Sequence, residues 1–314
     1  MTYSWGHNRR FNAYSNYFKQ TFGGRIQKVT IDAGFTCPNR DGTISYGGCA
    51  YCNNNGFNPT YCTPGKPVSQ QIEEGMAFHR HRYKNAKKYL AYFQAFSNTY
   101  APLEQLKKIY NQALEKEDIV GLVIGTRPDC IDEAKLDYFQ KLSENFYIIL
   151  EYGVESTYNK SLERINRGHS FETAQEIIEK TAQRKIKTGA HFIFGLPGET
   201  REEMLSQVKT ISNLPLTNIK FHQLQIVKGT AFEKEYIKDP WQFELFSLDE
   251  YLVFMKRFME RLNPAFVVER ISSEAKPSLL IQPKWGKIRG DQILNRFEKL
   301  LETEDTWQGK YYQP

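Results

Sequence analysis

Cys37, Cys49 and Cys52 are the residues whose types and spacing most directly specify chemistry. They stand in the runs Cys37-Pro38-Asn39-Arg40-Asp41-Gly42-Thr43 and Gly47-Gly48-Cys49-Ala50-Tyr51-Cys52, with eleven residues between the first cysteine and the Cys-x-x-Cys pair. Three thiolates can hold three corners of an iron-sulfur cube and leave one iron without a protein ligand, open to chemistry. The pair alone also fits zinc or a redox dithiol. A structural zinc site closes with four ligands and would have to recruit Cys62 or a histidine. A thioredoxin-like pair opens a helix after a strand and needs no third cysteine upstream.

The elements around these cysteines alternate. Apolar runs at 25–31, 89–96, 119–124, 146–150, 186–194 and 218–227 read as six strands. Amphipathic segments at 102–116, 133–143, 158–165, 172–184 and 202–212, with a polar, basic helix before the second strand, read as the intervening helices. Strands apolar on both faces and separated by helices belong to a parallel sheet. The expected fold is α/β, a partial (β/α)6 barrel over residues 25–231, with an N-terminal arm at 1–24 and a C-terminal α/β extension at 232–314. That extension holds a helix at 248–262, a strand at 266–271 and a tail rich in Lys, Arg, Trp and Tyr. Sites on such sheets lie at the carboxyl ends of the strands. The cysteines follow the first strand, Ser97-Asn98-Thr99 the second, the segment ending in Cys130 the third, Gly153-Val154-Glu155-Ser156 the fourth and Gly195-Leu196-Pro197-Gly198-Glu199 the fifth.

The 314 residues carry 25% charged and 40% hydrophobic side chains, as an ordinary globular protein does, and no apolar stretch long enough for a membrane span. The opening ten residues lack the apolar core of a secretory signal, so the expectation is a soluble, cytoplasmic protein with no membrane partner. Five cysteines, an odd number, favour metal binding or free thiols over a disulfide framework. The net charge of +6 modestly favours an anionic partner.

Taken with the segments after the later strands, the cysteine run resembles the signature of radical S-adenosylmethionine (SAM) enzymes. The similar branch is that of the elongator catalytic subunit and the oxygen-independent coproporphyrinogen oxidase. The resemblance implies a partial TIM-type barrel whose cofactors are a 4Fe-4S cluster on Cys37, Cys49 and Cys52 and SAM on its open iron. Gly153-Val154-Glu155-Ser156 followed by Asn166-Arg167-Gly168-His169 is similar to a motif that contacts SAM, with Glu155 where relatives carry glutamine and Arg167 suited to the SAM carboxylate. By the same resemblance Ser97, Asn98 and Thr99 form the turn that holds the SAM amino group through backbone carbonyls. His191 and Gly195 belong to the fifth-strand motif beside the adenine, and Gln225 and Val227 to the sixth-strand segment under it.

The resemblance implies reductive cleavage of SAM to a 5′-deoxyadenosyl radical, with an electron donor such as flavodoxin or ferredoxin. The implied substrate is the C5 side chain of a transfer RNA wobble uridine, towards aminomethyl or methylaminomethyl forms. The 84 residues after Thr230 are too few for the acetyltransferase domain of elongator-type relatives. A small-molecule substrate and a non-catalytic zinc and RNA-binding module are the alternatives. Basic, aromatic-interrupted runs at 79–84 with Lys87 and Lys88, at 276–289 and at 9–14 suit RNA, and the first equally suits a solvated helix face. Cys130 is either a hydrogen donor facing the site or a core thiol.

Overall fold

A computed structural model describes residues 2–56, 58–63, 65–83 and 86–314. In chain order the elements are α1 (Tyr14–Phe22), β1 (Ile26–Ile31), α2 (Val68–Arg82), β2 (Lys88–Phe93), α3 (Leu103–Leu114), β3 (Ile119–Thr126), α4 (Glu133–Ser143), β4 (Tyr147–Glu155), α5 (Asn159–Arg164), α6 (Phe171–Gln183), β5 (Lys187–Phe194) and α7 (Arg201–Ser212). There follow β6 (Asn218–Gln223), β7 (Ile226–Val227), α8 (Ala231–Lys238), α9 (Leu248–Met259), β8 (Val267–Arg270), β9 (Leu280–Gln282) and α10 (Gly290–Thr303). Seven strands form one sheet in the order β1-β2-β3-β4-β5-β6-β8, parallel throughout and curled into a half-barrel.

The layers follow from the side-chain pattern. Residues such as Leu122, Ile124, Ile148, Leu150 and Phe192 on the strands are almost wholly buried against Leu106, Leu136, Phe139, Ile178 and Met204 on the helices. Several helices start where a side chain satisfies the free N–H groups of the first turn. Asp132 caps α4, Ser170 caps α6, and the reciprocal pairs Thr200–Glu203 and Ser247–Glu250 open α7 and α9.

Three corrections to the sequence reading concern how the barrel ends. The run 218–227 is not one strand: β6 stops at Gln223, and β7 turns away to pair antiparallel with β9. The strand expected in the extension joins β6 and becomes the seventh of the sheet. Residues 9–14, read as an arm able to touch phosphates and bases, are docked into the fold. Arg9 pairs with Glu298 and Arg10 with Asp305, Phe11 and Ala13 are buried, and Val268 N–H donates to the Asn12 carbonyl at 2.8 Å.

Helix α1 packs across the lower end of the half-barrel. Phe18 packs edge-on to Tyr147 at 5.5 Å and shares a cluster with Ile26, Leu90, Val123 and Ile149. No helix among the described residues is long and apolar enough to cross a membrane. In the basic run 79–84, Lys84 and the side chains of His81 and Arg82 lie outside the described residues.

Candidate active site

The cysteine loop leaves β1 and folds back on itself. Arg40 N–H donates to the Cys37 carbonyl at 2.8 Å, Gly48 N–H to that of Asn39 at 2.7 Å, and Cys52 N–H to that of Cys49 at 2.9 Å. Gly48 has φ +86°, and a Cβ there would meet the Arg40 side chain at 2.9 Å, so the turn requires glycine on two counts. The loop is stitched to the turn between α5 and α6. Buried Asn39 donates through Nδ2 to the carbonyls of Asn166 (2.5 Å) and Arg167 (3.0 Å), while Ala50 N–H donates to that of Ile165 at 2.9 Å.

Cys37, Cys49 and Cys52 face one cavity of about 240 Å³ at the carboxyl ends of the strands. Cationic and amide groups attend the sulfurs: Arg167 Nη1 lies 3.5 Å from Cys49 Sγ, Asn39 Nδ2 3.6 Å from the same atom, and Arg127 Nη1 4.0 Å from Cys37 Sγ. Burial, then the neighbouring Cys49, pushes the Cys52 thiol up. Three thiols spaced round a cavity, with N–H groups aimed at sulfur, fit a cluster whose irons are spread over a cube. Among the described residues no group of three or more His, Cys, Asp and Glu is drawn tightly enough to hold a single ion. Cys62 does not line this cavity; it is buried in the core, its thiol pushed up to about 12 by burial and Asp32.

Arg167 is the best-fixed cation of the site. Its Nη2 donates to the Gly153 carbonyl and lies 3.6 Å from Glu155 Oε1, and its buried Nε has no partner. A Cβ on Gly153 would sit 2.6 Å from both Arg167 Nη2 and Glu155 Oε1, so this glycine makes the room for the guanidinium. Burial opposes the charge of Arg167, but Tyr51, Cys49 and Glu155 outweigh it and hold the group charged. Glu155 has φ +75°, a strained value for a residue with a side chain.

Below the thiols lies a closed ring of four charges. Lys28 on β1 reaches Glu151 on β4 (2.9 Å) and Glu269 on β8 (2.7 Å), and Lys220 on β6 reaches the same two carboxylates at 2.6 and 3.0 Å. Burial opposes ionisation of Glu151, yet Lys220 and Lys28 hold its carboxyl well below the usual range. His191 Nε2 is 3.3 Å from Glu151 Oε2, and burial with Lys220 lowers its pKa, leaving it neutral.

The structure thus brings Glu155, Arg167, His191, Gln225 and Val227 to the cavity with the three cysteines. Ser97, Asn98 and Thr99 are fully buried, and their side chains do not line it. Ser97 and Thr99 bond Thr126 at 3.0 and 2.6 Å, and Asn98 Nδ2 donates to the Gly125 carbonyl at 2.8 Å, so they tie the exit of β2 to that of β3. Gly195, at φ +94°, turns the chain after β5 without lining the cavity. Cys130 is not on the cavity wall either. Its thiol is pushed up to about 12 by burial and Asp129, the environment of a core thiol rather than of a donor facing substrate.

Asn39, Arg127, Lys28, Glu151, Lys220 and Glu269 went unread in the sequence as site residues. For three of them a signal existed. Lys28, Glu151 and Lys220 are charges within strand segments, and a charge in a buried strand demands a partner.

Residues 37–210 match the radical SAM superfamily, and residues 216–302 match the radical SAM C-terminal domain. The chain belongs to the radical SAM superfamily. Radical SAM enzymes use a 4Fe-4S cluster and SAM, so these are its cofactors. This radical SAM chain is 33% identical to protein YtqA of Bacillus subtilis over 305 residues, covering 97% of this chain and 94% of that one. It is 34% identical to protein YhcC of Escherichia coli over 291 residues, covering 90% and 92%. A shorter match, 30% identical over 131 residues, covers 41% of this chain and 24% of a tRNA uridine(34) acetyltransferase of Methanocaldococcus infernus. Among solved structures, Elp3 of Methanocaldococcus infernus superposes with a TM-score of 0.67 at 16% identity, over 90% of this chain and 64% of that one.

Proposed function

We propose that this radical SAM enzyme acts on the C5 side chain of the wobble uridine of transfer RNA, towards aminomethyl or methylaminomethyl uridine. The observation that carries this reading is the 131-residue match to a tRNA uridine(34) acetyltransferase, with the shared fold of Elp3 behind it. When bound, cluster and SAM supply a 5′-deoxyadenosyl radical that removes a hydrogen atom from substrate.

The chain's own residues do the rest. Cys37, Cys49 and Cys52 hold the cluster, and Asn39 and Arg167 place N–H groups against sulfur. Arg167, clamped by Gly153 and Glu155, meets the carboxylate of SAM, since a guanidinium matches a carboxylate in a fork. His191, Gln225 and Val227 form the wall beside its nucleoside, while Ser97, Asn98, Thr99 and Gly195 fix the strand exits that carry this wall. The charge ring ties β1, β4, β6 and β8 together beneath the site and fixes the floor on which it is built. Residues 232–314 serve as lid and substrate-binding segment, and the partners are transfer RNA and a cytoplasmic flavodoxin or ferredoxin.

Comparison of modified nucleosides in transfer RNA from cells with and without the gene tests this reading. Loss of one wobble-uridine modification is expected. An unchanged wobble-uridine profile overturns it.

A further inference from the structure

We propose that Gln94, His222 and Arg270 form a nucleotide subsite, in which Arg270 holds a backbone phosphate of single-stranded RNA and Gln94 meets the edge of the base drawn into the cavity. The inference rests on the RNA-directed reading above.

It starts from which polar groups are satisfied. In the barrel interior Lys28, Glu151, Lys220, Glu269, Tyr92, Asn218 and His191 are all hydrogen-bonded to one another. Gln94 after β2, His222 on β6 and Arg270 at the end of β8 line the same cavity, yet none of the three makes a side-chain hydrogen bond or ion pair among the described residues. Gln94 and His222 are half-buried and Arg270 is exposed, so all three can be reached from outside and turn uncommitted polar groups to whatever enters the cavity.

A second cavity of about 780 Å³ opens between β1 and β8, over α1, and meets the first at Gln94 and Arg270. Its wall carries Lys19, Arg25 and Arg270, none of them in an ion pair among the described residues, with Arg25 stacked 3.9 Å over the Tyr83 ring. Glu274 is the opposing carboxylate without a cation; Glu269 is spent on Lys28 and Lys220, and Asp291 faces Arg289 at 3.3 Å.

The chemistry of the junction favours a nucleotide. A guanidinium fork matches phosphate oxygens. The Gln94 amide offers one donor and one acceptor side by side, as a pyrimidine imide edge requires. Burial, then His191 and Arg270, lowers the pKa of His222, so it offers the flat face of a neutral ring, with His191 at 5.6 Å beyond it. Lys19 and Arg25 continue the cationic track outward for neighbouring phosphates, as in grooves that follow a single strand.

The test uses protein reconstituted with cluster and SAM, and the fluorescence anisotropy of a short labelled single-stranded RNA with a central uridine. Arg270→Ala is expected to weaken binding about tenfold and lower the salt slope by about one, while Arg270→Lys restores part of both. Gln94→Ala should shrink the preference for that RNA over the same strand with an abasic centre. Lys209→Ala, an exposed cation on α7, is the control with unchanged binding. Iron content and circular dichroism establish that each variant is folded and loaded. Wild-type affinity and slope in Arg270→Ala, equal competition by polyglutamate, or no binding of the RNA at all would overturn the proposal. An enzyme that modifies another RNA would pass here and leave the wobble uridine unchanged. One that reads wobble uridine through a different surface would show the reverse.

Discussion

Lys28 on the first strand and Glu269 on the last lie 2.7 Å apart, so the two edges of the half-barrel, which share no ladder hydrogen bonds, are joined by an ion pair. The pair is half of a ring with Glu151 and Lys220, and removing one member leaves the others uncompensated. Glu269→Gln should cost about 3 kcal/mol in urea unfolding. The double variant Lys28→Met with Glu269→Leu should cost less than the sum of the single changes, because the charges leave together. Additive losses would contradict a coupled ring.

Acid should reach the fold through His169. Burial, then Arg167, lowers its pKa to about 3, against 6.5 for the free side chain. Below pH 6.5 the unfolded imidazole takes up a proton that the folded one refuses until about pH 3, so stability falls as pH drops through that window. The slope from this residue approaches about 1.4 kcal/mol per pH unit. His169→Asn should flatten the acid limb of a stability profile between pH 6 and 4, and an unaltered limb would refute the assignment.

Cys37→Ala, Cys49→Ala and Cys52→Ala should each lose iron and the absorbance near about 400 nm after anaerobic reconstitution. Cys62→Ala and Cys130→Ala should keep both, since neither thiol lines the cavity. Iron retained by a variant of one of the three, or lost from either of the two, would redraw the ligand set.

Gly153→Ala separates binding from folding. A methyl group there would lie 2.6 Å from Arg167 Nη2 and Glu155 Oε1, both side-chain atoms able to shift, so the strand survives while the guanidinium is displaced. SAM affinity by calorimetry should fall about tenfold, on the order of one charge-assisted hydrogen bond. The urea midpoint should move little; equal damage to both would mean that the glycine serves the strand instead.

The alternation of apolar runs made β1 to β5 and their helices readable, and the cysteine spacing with Arg167 marked one wall of the site. What stayed hidden has physical causes. The segment 218–227 alternates apolar and polar residues as a single strand would, and its break is set by distant partners: Gln223 Nε2 and Oε1 both bond the Ser273 backbone and hold the chain where β6 ends. Helix α10 carried a signal in Ile293, Phe297 and Leu301 at four-residue spacing, masked by the charged and aromatic residues of the tail around it. The charge ring joins residues as far apart as 28 and 269, and local pattern carries no trace of such a pairing. The docking of Arg9 and Arg10 on Glu298 and Asp305 escaped for the same reason.

Asn39 fastens the cysteine loop to the backbone of Asn166 and Arg167. A seam of this kind is reciprocal: whatever steadies one side steadies the other by the same free energy. SAM held by Arg167 would therefore tighten the cluster against chelators at equilibrium, and an intact cluster would tighten SAM by an equal factor. The two cofactors would load as a cooperative pair.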